Sequence, residues 1–539
     1  MRKKLIRGSA WTLGILALPM AWLLWPIPTD DFPMTWDADQ EKAKTEFLAG
    51  VVDTPDSLTR PNIILIVADD LGKTDISLYG SELIETPHMD AIGQNGATFT
   101  EGYVTSPVCS PSRASLLTGR YQQRFGYHFQ LHEIYLKNQL QYLGFKYLVD
   151  SAPWAPVPAE TAPRQADLEE YGLPPSELTI SELLKKYEYN TALIGKWHVG
   201  HSDFALPCNR GFDYQYGFYN SHSLFAPEGS EGVVDQHVPE DFTDDHIWGS
   251  QRDGISAIFR DCEEIEEPEY LTDRIAEESI AFMEANADEP FFLYVPFSAP
   301  HTPFQAKQED YDKFAHIEDP YKRIYLAMIQ NLDDAVGSIM NKVTELGIEE
   351  NTLVIFISDN GGATYTLACD NAPLKGGKIT QFEGGINVPY MMQWKGVIEP
   401  GIQYADPVAS IDIFSTIAGA IQAELPTDRA IDGVNLIPYL RKEKVGQPHE
   451  SLYWKTGRNM AIRKGDWKML HNTVSERTVL YNLKADKNET TDLSQKMPEK
   501  VIELMNAHKD WAAQLPAPIW PGVVTYAFDD GEEVFLFDN

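Results

Sequence analysis

The first candidates for chemistry are a cysteine and an arginine that lie close together in the chain. Cys109 opens the segment Cys109-Ser110-Pro111-Ser112-Arg113. A cysteine phosphatase needs a longer loop between these two side chains to wrap a phosphate, so the spacing excludes that mechanism. A reactive thiolate would also need a lowered pKa. Taken alone, a cysteine before a helix is as readily a small buried hydrophobic residue, and the rest of the sequence must decide its role.

Acidic residues follow two continuous apolar runs. Asp69 and Asp70 come after residues 62–68, and Asp359 and Asn360 come after residues 353–358. Such runs are typical of strands buried on both faces of a parallel sheet, and open α/β sheets form ligand sites at the carboxyl ends of strands. Oxygen ligands without clustered cysteine or histidine suit a hard cation, Ca²⁺ or Mg²⁺. Each pair by itself is also typical of a turn or helix cap.

Basic residues and histidines follow further strand-like runs. Residues 191–194 lead into Gly195-Lys196-Trp197-His198, and residues 291–297 precede His301. Lys378 closes the glycine-containing segment 374–378. A lone histidine or lysine is more often structural or solvated than catalytic. The repeated placement of polar groups after apolar runs is what favours a shared site.

In this order, these segments resemble the signature of the type I sulfatases, which belong to the alkaline-phosphatase-like superfamily. In that family the cysteine is oxidised to formylglycine, an aldehyde whose hydrate attacks a sulfate ester. The resemblance therefore implies that formylglycine-generating maturation machinery converts Cys109. It implies one Ca²⁺, with Mg²⁺ as the second choice, held by Asp69, Asp70, Asp359, Asn360 and the converted Cys109. It also implies six catalytic residues: Cys109, Arg113, Lys196, His198, His301 and Lys378.

The resemblance assigns roles to these groups. Sulfate ester hydrolysis needs preorganised positive charge around the oxygens, which Arg113, Lys196 and Lys378 would supply beside the cation. His301 is expected as the general acid and His198 as its base-side partner. The similarity covers nearly all of the chain after an N-terminal arm. One departure is Lys375, which stands where many relatives have arginine.

The expected fold is α/β, with a large mixed, mostly parallel sheet flanked by helices. A smaller C-terminal subdomain of antiparallel sheet plus helix is also expected. A chain of 539 residues is longer than the size at which one hydrophobic core keeps growing, so at least two packed units are expected. The expected divisions are a signal or anchor at 1–28, an arm at 29–60, a catalytic domain at 61–440 and the C-terminal subdomain at 441–539. Amphipathic stretches at 324–343 and 411–421 predict covering helices.

Near the C-terminal end, the sequence changes to short runs in which apolar and polar residues alternate. Short alternating runs at 452–454, 460–463, 467–470 and 479–483 predict antiparallel strands. A helix is predicted to begin at Pro498, and its apolar side is expected to comprise Val501, Leu504, Met505 and Leu515.

Charge and the N-terminal segment indicate where the protein works. The formal net charge of -36 argues against nucleic acid as a partner. Basic residues between 2 and 7 precede an apolar segment at 10–25, which predicts a signal peptide or an uncleaved membrane anchor. Both alternatives imply an exported enzyme, periplasmic or extracellular. Besides Cys109 the chain has three cysteines, enough for one disulfide, with Cys208 and Cys262 as a possible pair.

Two insertions without a recognisable motif, at 121–175 and 203–270, are expected to determine specificity because long loops over the sheet edge usually do so. Secondary candidates for sugar contacts, with loop packing as the alternative role, are His128, His132, Arg210 and His222. The preferred substrate is a sulfated polysaccharide or oligosaccharide, for example an algal galactan such as carrageenan. The alternatives are small aryl sulfates, phosphonate or phosphate monoesters on the same scaffold, and a non-catalytic sulfated-glycan-binding protein.

Overall fold

The apolar runs of the sequence form neighbouring strands at the centre of a 10-stranded sheet. The computed structural model describes residues 22–51, 60–131, 135–147, 153–156, 162–239, 241, 243–531 and 534–539. The strands are β1 (Thr29–Asp30), β2 (Asn62–Ala68), β3 (Ala97–Phe99), β4 (Gly102–Tyr103), β5 (Trp154–Pro156), β6 (Ala162–Pro163), β7 (Asn190–Lys196), β8 (Tyr214–Phe218), β9 (Val233–Gln236), β10 (Ile258–Arg260), β11 (Glu263–Ile265), β12 (Phe291–Pro296), β13 (Phe304–Lys307), β14 (Thr352–Ser358), β15 (Tyr390–Gln393), β16 (Ile402–Tyr404), β17 (Val408–Ala409), β18 (Ser451–Thr456), β19 (Asn459–Lys464), β20 (Trp467–Asn472), β21 (Arg477–Asn482), β22 (Val524–Asp529) and β23 (Val534–Asp538).

The order in the large sheet is β11-β10-β8-β7-β12-β2-β14-β15-β3-β16. The central strands β8, β7, β12, β2 and β14 run parallel, while β10, β11 and β15 are antiparallel to their neighbours. Every residue of β2, β12 and β14 is buried. The predicted mixed, mostly parallel sheet is confirmed.

Helices cover both faces of this sheet. They are α1 (Ala38–Gly50), α2 (Pro87–Gln94), α3 (Cys109–Thr118), α4 (Gln139–Tyr147), α5 (Gln165–Glu170), α6 (Ile180–Lys186), α7 (Asp244–Ser250), α8 (Leu271–Ala285), α9 (Gln308–Lys313), α10 (Pro320–Glu345), α11 (Glu383–Ile386), α12 (Asp412–Ala420), α13 (Ile437–Leu440) and α14 (Pro498–Ala512). Alternate side chains of β2 enter two different cores: Ile63, Leu65 and Val67 pack with α3, α6 and α12. Ile64 and Ile66 pack with α2, α8 and α10.

The two amphipathic stretches are helices, as predicted. The stretch at 324–343 lies within α10, which begins at Pro320 after Asp319; the Asp319 side chain accepts hydrogen bonds from the backbone N–H groups of Tyr321 and Lys322. The stretch at 411–421 contains α12.

The C-terminal part contains a four-stranded antiparallel sheet in the order β18-β19-β20-β21, which contains the four predicted runs. Helix α14 begins at Pro498 and packs on this sheet through Leu504, which is buried with Ile462, Met469 and Leu480. The helix ends at Ala512. Leu515 was expected on its apolar side, but it lies beyond the helix and packs against the larger core.

A three-stranded sheet near the C-terminal end was not predicted. Strands β22 and β23 form a hairpin whose inner strand pairs with β5, from the first insertion. The chain end and the insertion therefore share a three-stranded sheet. In the second insertion, Cys208 and Cys262 form a disulfide, which was one of the pairings that the sequence left open.

The predicted signal or anchor segment falls mostly on residues 1–21, outside the described part of the chain. Among the residues that the structure describes, no helix has the length and apolar composition needed to cross a bilayer.

Candidate active site

The register of the central strands brings the two acidic segments together. Ala68 pairs with Ser358 across β2 and β14, so Asp69 and Asp359 leave the sheet side by side. The backbone N–H of Asp70 donates to Asp359 Oδ1 at 3.3 Å, and Asn360 Nδ2 donates to Asp70 Oδ1 at 2.7 Å. All four side chains are buried. The ends of the parallel strands thus bring these carboxylate and amide oxygens to one point.

Cys109 reaches the same point from the first turn of α3. Its Sγ lies 3.4 Å from Asp69 Oδ1 and 3.8 Å from Asp70 Oδ1. Burial and the charge of Asp359 raise the pKa of the Cys109 thiol well above its usual range. The unmodified side chain is therefore a neutral thiol and lacks the thiolate that a cysteine nucleophile requires.

Three buried cations pair with the three carboxylates. Arg113 Nε donates to Asp359 Oδ2 at 2.8 Å. Lys196 Nζ lies 2.5 Å from Asp69 Oδ2 and Lys378 Nζ lies 2.9 Å from Asp70 Oδ2. All three basic side chains are almost fully buried. The site therefore holds a ring of positive groups around a carboxylate cluster, which can stabilise an anion entering between them.

The carboxylate cluster fits a hard divalent cation. Candidate ligand atoms of Asp69, Asp70, Cys109 and His301 all lie within 4.8 Å of one another, and Asn360 Oδ1 is buried without a hydrogen-bond partner. Burial, together with the charge of Asp69, raises the pKa of Asp359 to about 7. Crowded carboxylates of this kind are relieved by a bound cation, and the carboxylate and amide oxygens of Asp69, Asp70, Asp359 and Asn360 favour calcium or magnesium over zinc.

His301 lies at the open side of the cluster. Its Nδ1 is 2.5 Å from the carbonyl oxygen of Thr302, which can only accept, so Nδ1 carries the hydrogen. Nε2 then faces Asp70 Oδ2 at 3.6 Å. Burial and the nearby Lys378 charge lower the pKa of His301 to about 4. The imidazole is held in one orientation with Nε2 available to exchange a proton.

His198 lies deeper in the site. It follows β7 in the left-handed region, with a φ of 55°. Neither ring nitrogen has a hydrogen-bond partner, although the ring is buried. Burial and the charge of Lys196 hold the pKa of His198 well below its usual range. Buried polar atoms without partners indicate a group that the substrate or an ion is expected to satisfy.

A cavity of about 430 Å³ opens above His301 and Lys378. One wall comes from the first insertion and from residues near the C-terminal end; the other comes from the second insertion, residues 220–247. The lining residues include Gln130, Leu131, Tyr135, Leu136, Phe145, Trp154, Asn220, Ser221, His222, Thr243, His246, Tyr365 and Val524. Residues of both insertions therefore line this cavity.

The structure places the secondary candidates for sugar contacts that it describes in different environments. His222 lines the cavity. Arg210 does not: it is buried, and its guanidinium donates to the carbonyl oxygens of Leu173, Pro174 and Glu177, which hold it within the protein. His128 is buried outside the cavity lining. His132 falls outside the described residues.

Several supporting residues carried no signal in the sequence. The hydroxyl of Tyr127 contacts Ser110 Oγ in the first turn of α3, and Gln130 accepts the backbone N–H of Ser110 at 3.3 Å. Tyr325 donates to Asp75 at 2.8 Å beside the carbonyl of Asp70. Their roles depend on distant chain segments meeting, which no local motif indicates. Lys375, the departure from the family pattern, pairs with Asp530 at 3.0 Å.

Comparisons with known proteins identify relatives of this chain. A sulfatase family model matches residues 61–423. An arylsulfatase from Hemicentrotus pulcherrimus is 32% identical over 435 residues, covering 78% of this chain and 69% of the relative. An N-acetylgalactosamine-6-sulfatase from Rattus norvegicus is 32% identical over 415 residues, covering 76% and 71%.

Two solved structures of one protein are also similar to this chain. The crystal structure of Ps i-CgsB superposes with a TM-score of 0.71 at 31% identity, covering 86% of this chain and 94% of that one. A second structure of that protein, in complex with k-i-k-neocarrahexaose, superposes with a TM-score of 0.70 at 29% identity, with the same coverage.

Proposed function

Because the chain belongs to the sulfatase family, we propose that it hydrolyses sulfate monoesters of a sulfated polysaccharide or oligosaccharide through a formylglycine made from Cys109. The enzyme is a sulfuric ester hydrolase. The observation that carries the proposal is the position of Cys109, 3.4 Å from Asp69, inside the ring formed by Arg113, Lys196 and Lys378. That ring lies below a cavity large enough for a small ligand.

Residue 109 and the carboxylate cluster would act together. Asp69, Asp70, Asp359 and Asn360, with residue 109, would hold one divalent cation, with Ca²⁺ preferred to Mg²⁺. When bound, that cation supplies charge neutralisation and polarises the group at position 109. The hydrate of formylglycine would supply the hydroxyl that attacks sulfur, which the unmodified thiol does not carry. Conversion of Cys109 requires formylglycine-generating maturation machinery in the host.

The chain's own basic residues would bind and orient the sulfate. Lys196 and Lys378 each approach the site from one side, and Arg113 lies behind Asp359. As sulfur is attacked, charge grows on its oxygens and on the leaving oxygen, and fixed cations stabilise that charge without reorganising.

His301 would protonate the leaving oxygen. Its Nδ1–H is held by Thr302, so only Nε2 can carry the proton that moves. An arriving sulfate brings a negative charge close to the imidazole, which raises its pKa and favours the protonated form. His198, buried with both ring nitrogens free of partners, would receive a proton on the opposite side when the sulfated residue 109 collapses.

Hydrolysis of small aryl sulfates is the second candidate function. The cavity wall formed by Leu131, Leu136, Phe145 and Trp154 offers apolar surface that an aromatic leaving group could occupy. The same wall can accept the apolar face of a sugar ring, while Asn220, Ser221 and His222 opposite it offer hydrogen bonds. The combination of both walls is the reason for preferring a sugar sulfate.

We further propose export to the periplasm or the cell exterior, with the segment at 10–25 acting as a cleaved signal or an anchor. The Cys208–Cys262 disulfide supports an oxidising compartment. Fractionation of cells that express the full chain, followed by immunoblotting, would test this. Recovery in the cytoplasm with Cys208 and Cys262 reduced would contradict it.

Sulfate release tests the proposed activity. The full chain, co-expressed with the maturation machinery, is incubated with sulfated galactan oligosaccharides, and released sulfate is measured by ion chromatography. We expect release by the wild type and by Cys369→Ala, which removes the other buried free thiol, and none by Cys109→Ala. Equal release by Cys109→Ala, or release of phosphate but no sulfate from matched esters, would contradict the proposal.

A further inference from the structure

The cavity above the catalytic groups is almost free of ionic side chains. Among the described residues that line it, Lys378 is the sole lysine or arginine, and there is no aspartate or glutamate. Lys378 lies at the floor, where it pairs with Asp70 at 2.9 Å. The Lys378 charge is therefore available to the scissile sulfate, and the walls of the cavity have no cation of their own among their described residues.

The polar wall offers hydrogen bonds from groups without formal charge. Ser221 Oγ lies 2.9 Å from His222 Nδ1, and the buried His222 Nε2 has no partner. The rings of His222 and His246 meet edge to face, with their centroids 5.6 Å apart. Burial lowers the pKa of His222 to about 3, so the ring is neutral. A neutral imidazole nitrogen suits a hydroxyl group of the substrate.

Carboxylates lie behind this wall. Asp241 is buried and accepts both the backbone N–H of Thr243 at 3.0 Å and its hydroxyl at 2.8 Å. Asp244, also buried, accepts the backbone N–H of Val238 at 3.1 Å. These acids position the wall residue Thr243 and the start of α7, and they bring no cation to this side of the cavity.

The opposite wall is apolar. Leu131, Leu136, Phe145, Trp154 and Val524 face the cavity from the first insertion and the β22 strand. The C–H face of a sugar ring can pack on such a surface, whereas a sulfate or carboxylate placed there would lose its hydration without gaining a cation.

We propose that the sugar ring bearing the scissile sulfate carries no second anionic substituent, and that the Asn220–His222–His246 wall recognises its uncharged hydroxyl groups. This inference rests on the proposed sulfatase function and narrows its substrate class. The site would accept a monosulfated neutral hexose and reject a disulfated ring or a sulfated uronic acid. Charge elsewhere on a polymer, beyond the cavity, is not restricted.

The test uses position-matched sugars. The matured full chain is assayed at pH 8, where an unperturbed histidine is neutral, with the four methyl galactoside monosulfates and then with disulfates that add one sulfate to the preferred isomer. We expect kcat/KM to fall at least about tenfold for every disulfate. Activity on 4-nitrophenyl sulfate is measured in parallel as a check on maturation.

A cation added to the cavity wall should reduce the discrimination against disulfated sugars. His246 is exposed on α7 and lines the cavity, so His246→Lys is expected to raise the disulfate to monosulfate ratio of kcat/KM by about two- to fivefold. Val445→Lys adds the same charge at a position that is 95% exposed, away from the cavity, and should leave the ratio unchanged.

The outcomes separate the inference from the proposed function. The inference would be overturned if disulfates were turned over as fast as the monosulfate. It would also be overturned if His246→Lys and Val445→Lys changed the disulfate to monosulfate ratio of kcat/KM equally. Both results would leave the sulfatase activity intact. Turnover of the aryl sulfate but of no monosulfated sugar would also overturn the inference. No sulfate release from any probe, the aryl sulfate included, would overturn the proposed function itself.

Discussion

Lys468 on β20 is the buried charge whose removal should damage the fold most clearly. Its Nζ lies 2.8 Å from Glu383 Oε1 and 2.9 Å from Glu489 Oε1, and all three side chains are almost fully buried. Glu489 Oε2 also accepts the backbone N–H of Glu383 at 2.7 Å. This ion cluster joins the C-terminal sheet to α11, which follows the loop carrying Lys378.

Lys468→Met would remove the cation that these two buried carboxylates share. Breaking a buried pair by removing one partner costs about 3–5 kcal/mol, and we expect a loss of that size in the free energy of unfolding at pH 8. The matched control is Lys487→Met, which removes a Glu101 ion pair of 3.0 Å whose lysine side chain is 63% exposed. That change should cost less than about 1 kcal/mol.

The free energy of unfolding that Lys468→Met removes should also depend on pH. Burial raises the pKa of Glu489 to about 7 even with Lys468 present, and removing the lysine raises it further. A carboxyl whose folded pKa lies above its unfolded value destabilises the fold increasingly as pH rises above the unfolded value. The cost of Lys468→Met should therefore be smaller at pH 5 than at pH 8.

Urea denaturation followed by tryptophan fluorescence measures both effects. A loss no larger than that of Lys487→Met, or one of equal size at pH 5 and pH 8, would refute the assignment of Lys468 as the cation that offsets this carboxylate pair.

Three further predictions follow from other parts of the structure. Asp359→Asn should weaken calcium retention at least about tenfold, measured as bound metal after dialysis; unchanged metal content would contradict the ligand assignment. His222→Phe should raise KM for the preferred sugar sulfate about three- to tenfold with little change in kcat, because one uncharged hydrogen bond is lost; an unchanged KM would remove His222 from the substrate wall. His449 donates to Asp412 at 2.7 Å, and although burial lowers the pKa of His449, the Asp412 charge and hydrogen bond raise it overall. His449→Gln should therefore cost about 1 kcal/mol of unfolding free energy below pH 6.5, with the difference fading as pH rises through the raised pKa. A pH-independent difference would contradict a charged His449.

The sequence was most informative where local pattern and position coincide. The uninterrupted runs at β2, β12 and β14 predicted buried parallel strands, and strand ends in one sheet necessarily meet at one edge. That geometry explains how strand patterns, combined with the family resemblance, predicted that Asp69 and Asp359 lie together although they are nearly three hundred residues apart.

Features built from distant segments carried no such signal. The pairing of β22 with β5 depends on the chain end returning to the first insertion, and neither stretch has a motif that names its partner. Arg210 was a reasonable candidate for a sugar contact, yet its burial against the carbonyls of Leu173 and Glu177 is set by tertiary packing. The choice between such roles requires the fold.

Mass spectrometry of the proteolytic peptide that contains Cys109 tests the central claim most directly. In protein produced with the maturation machinery, we expect the thiol to be replaced by an aldehyde that reacts with a carbonyl-specific hydrazine probe. An unmodified Cys109 thiol in protein that nonetheless releases sulfate would contradict the account.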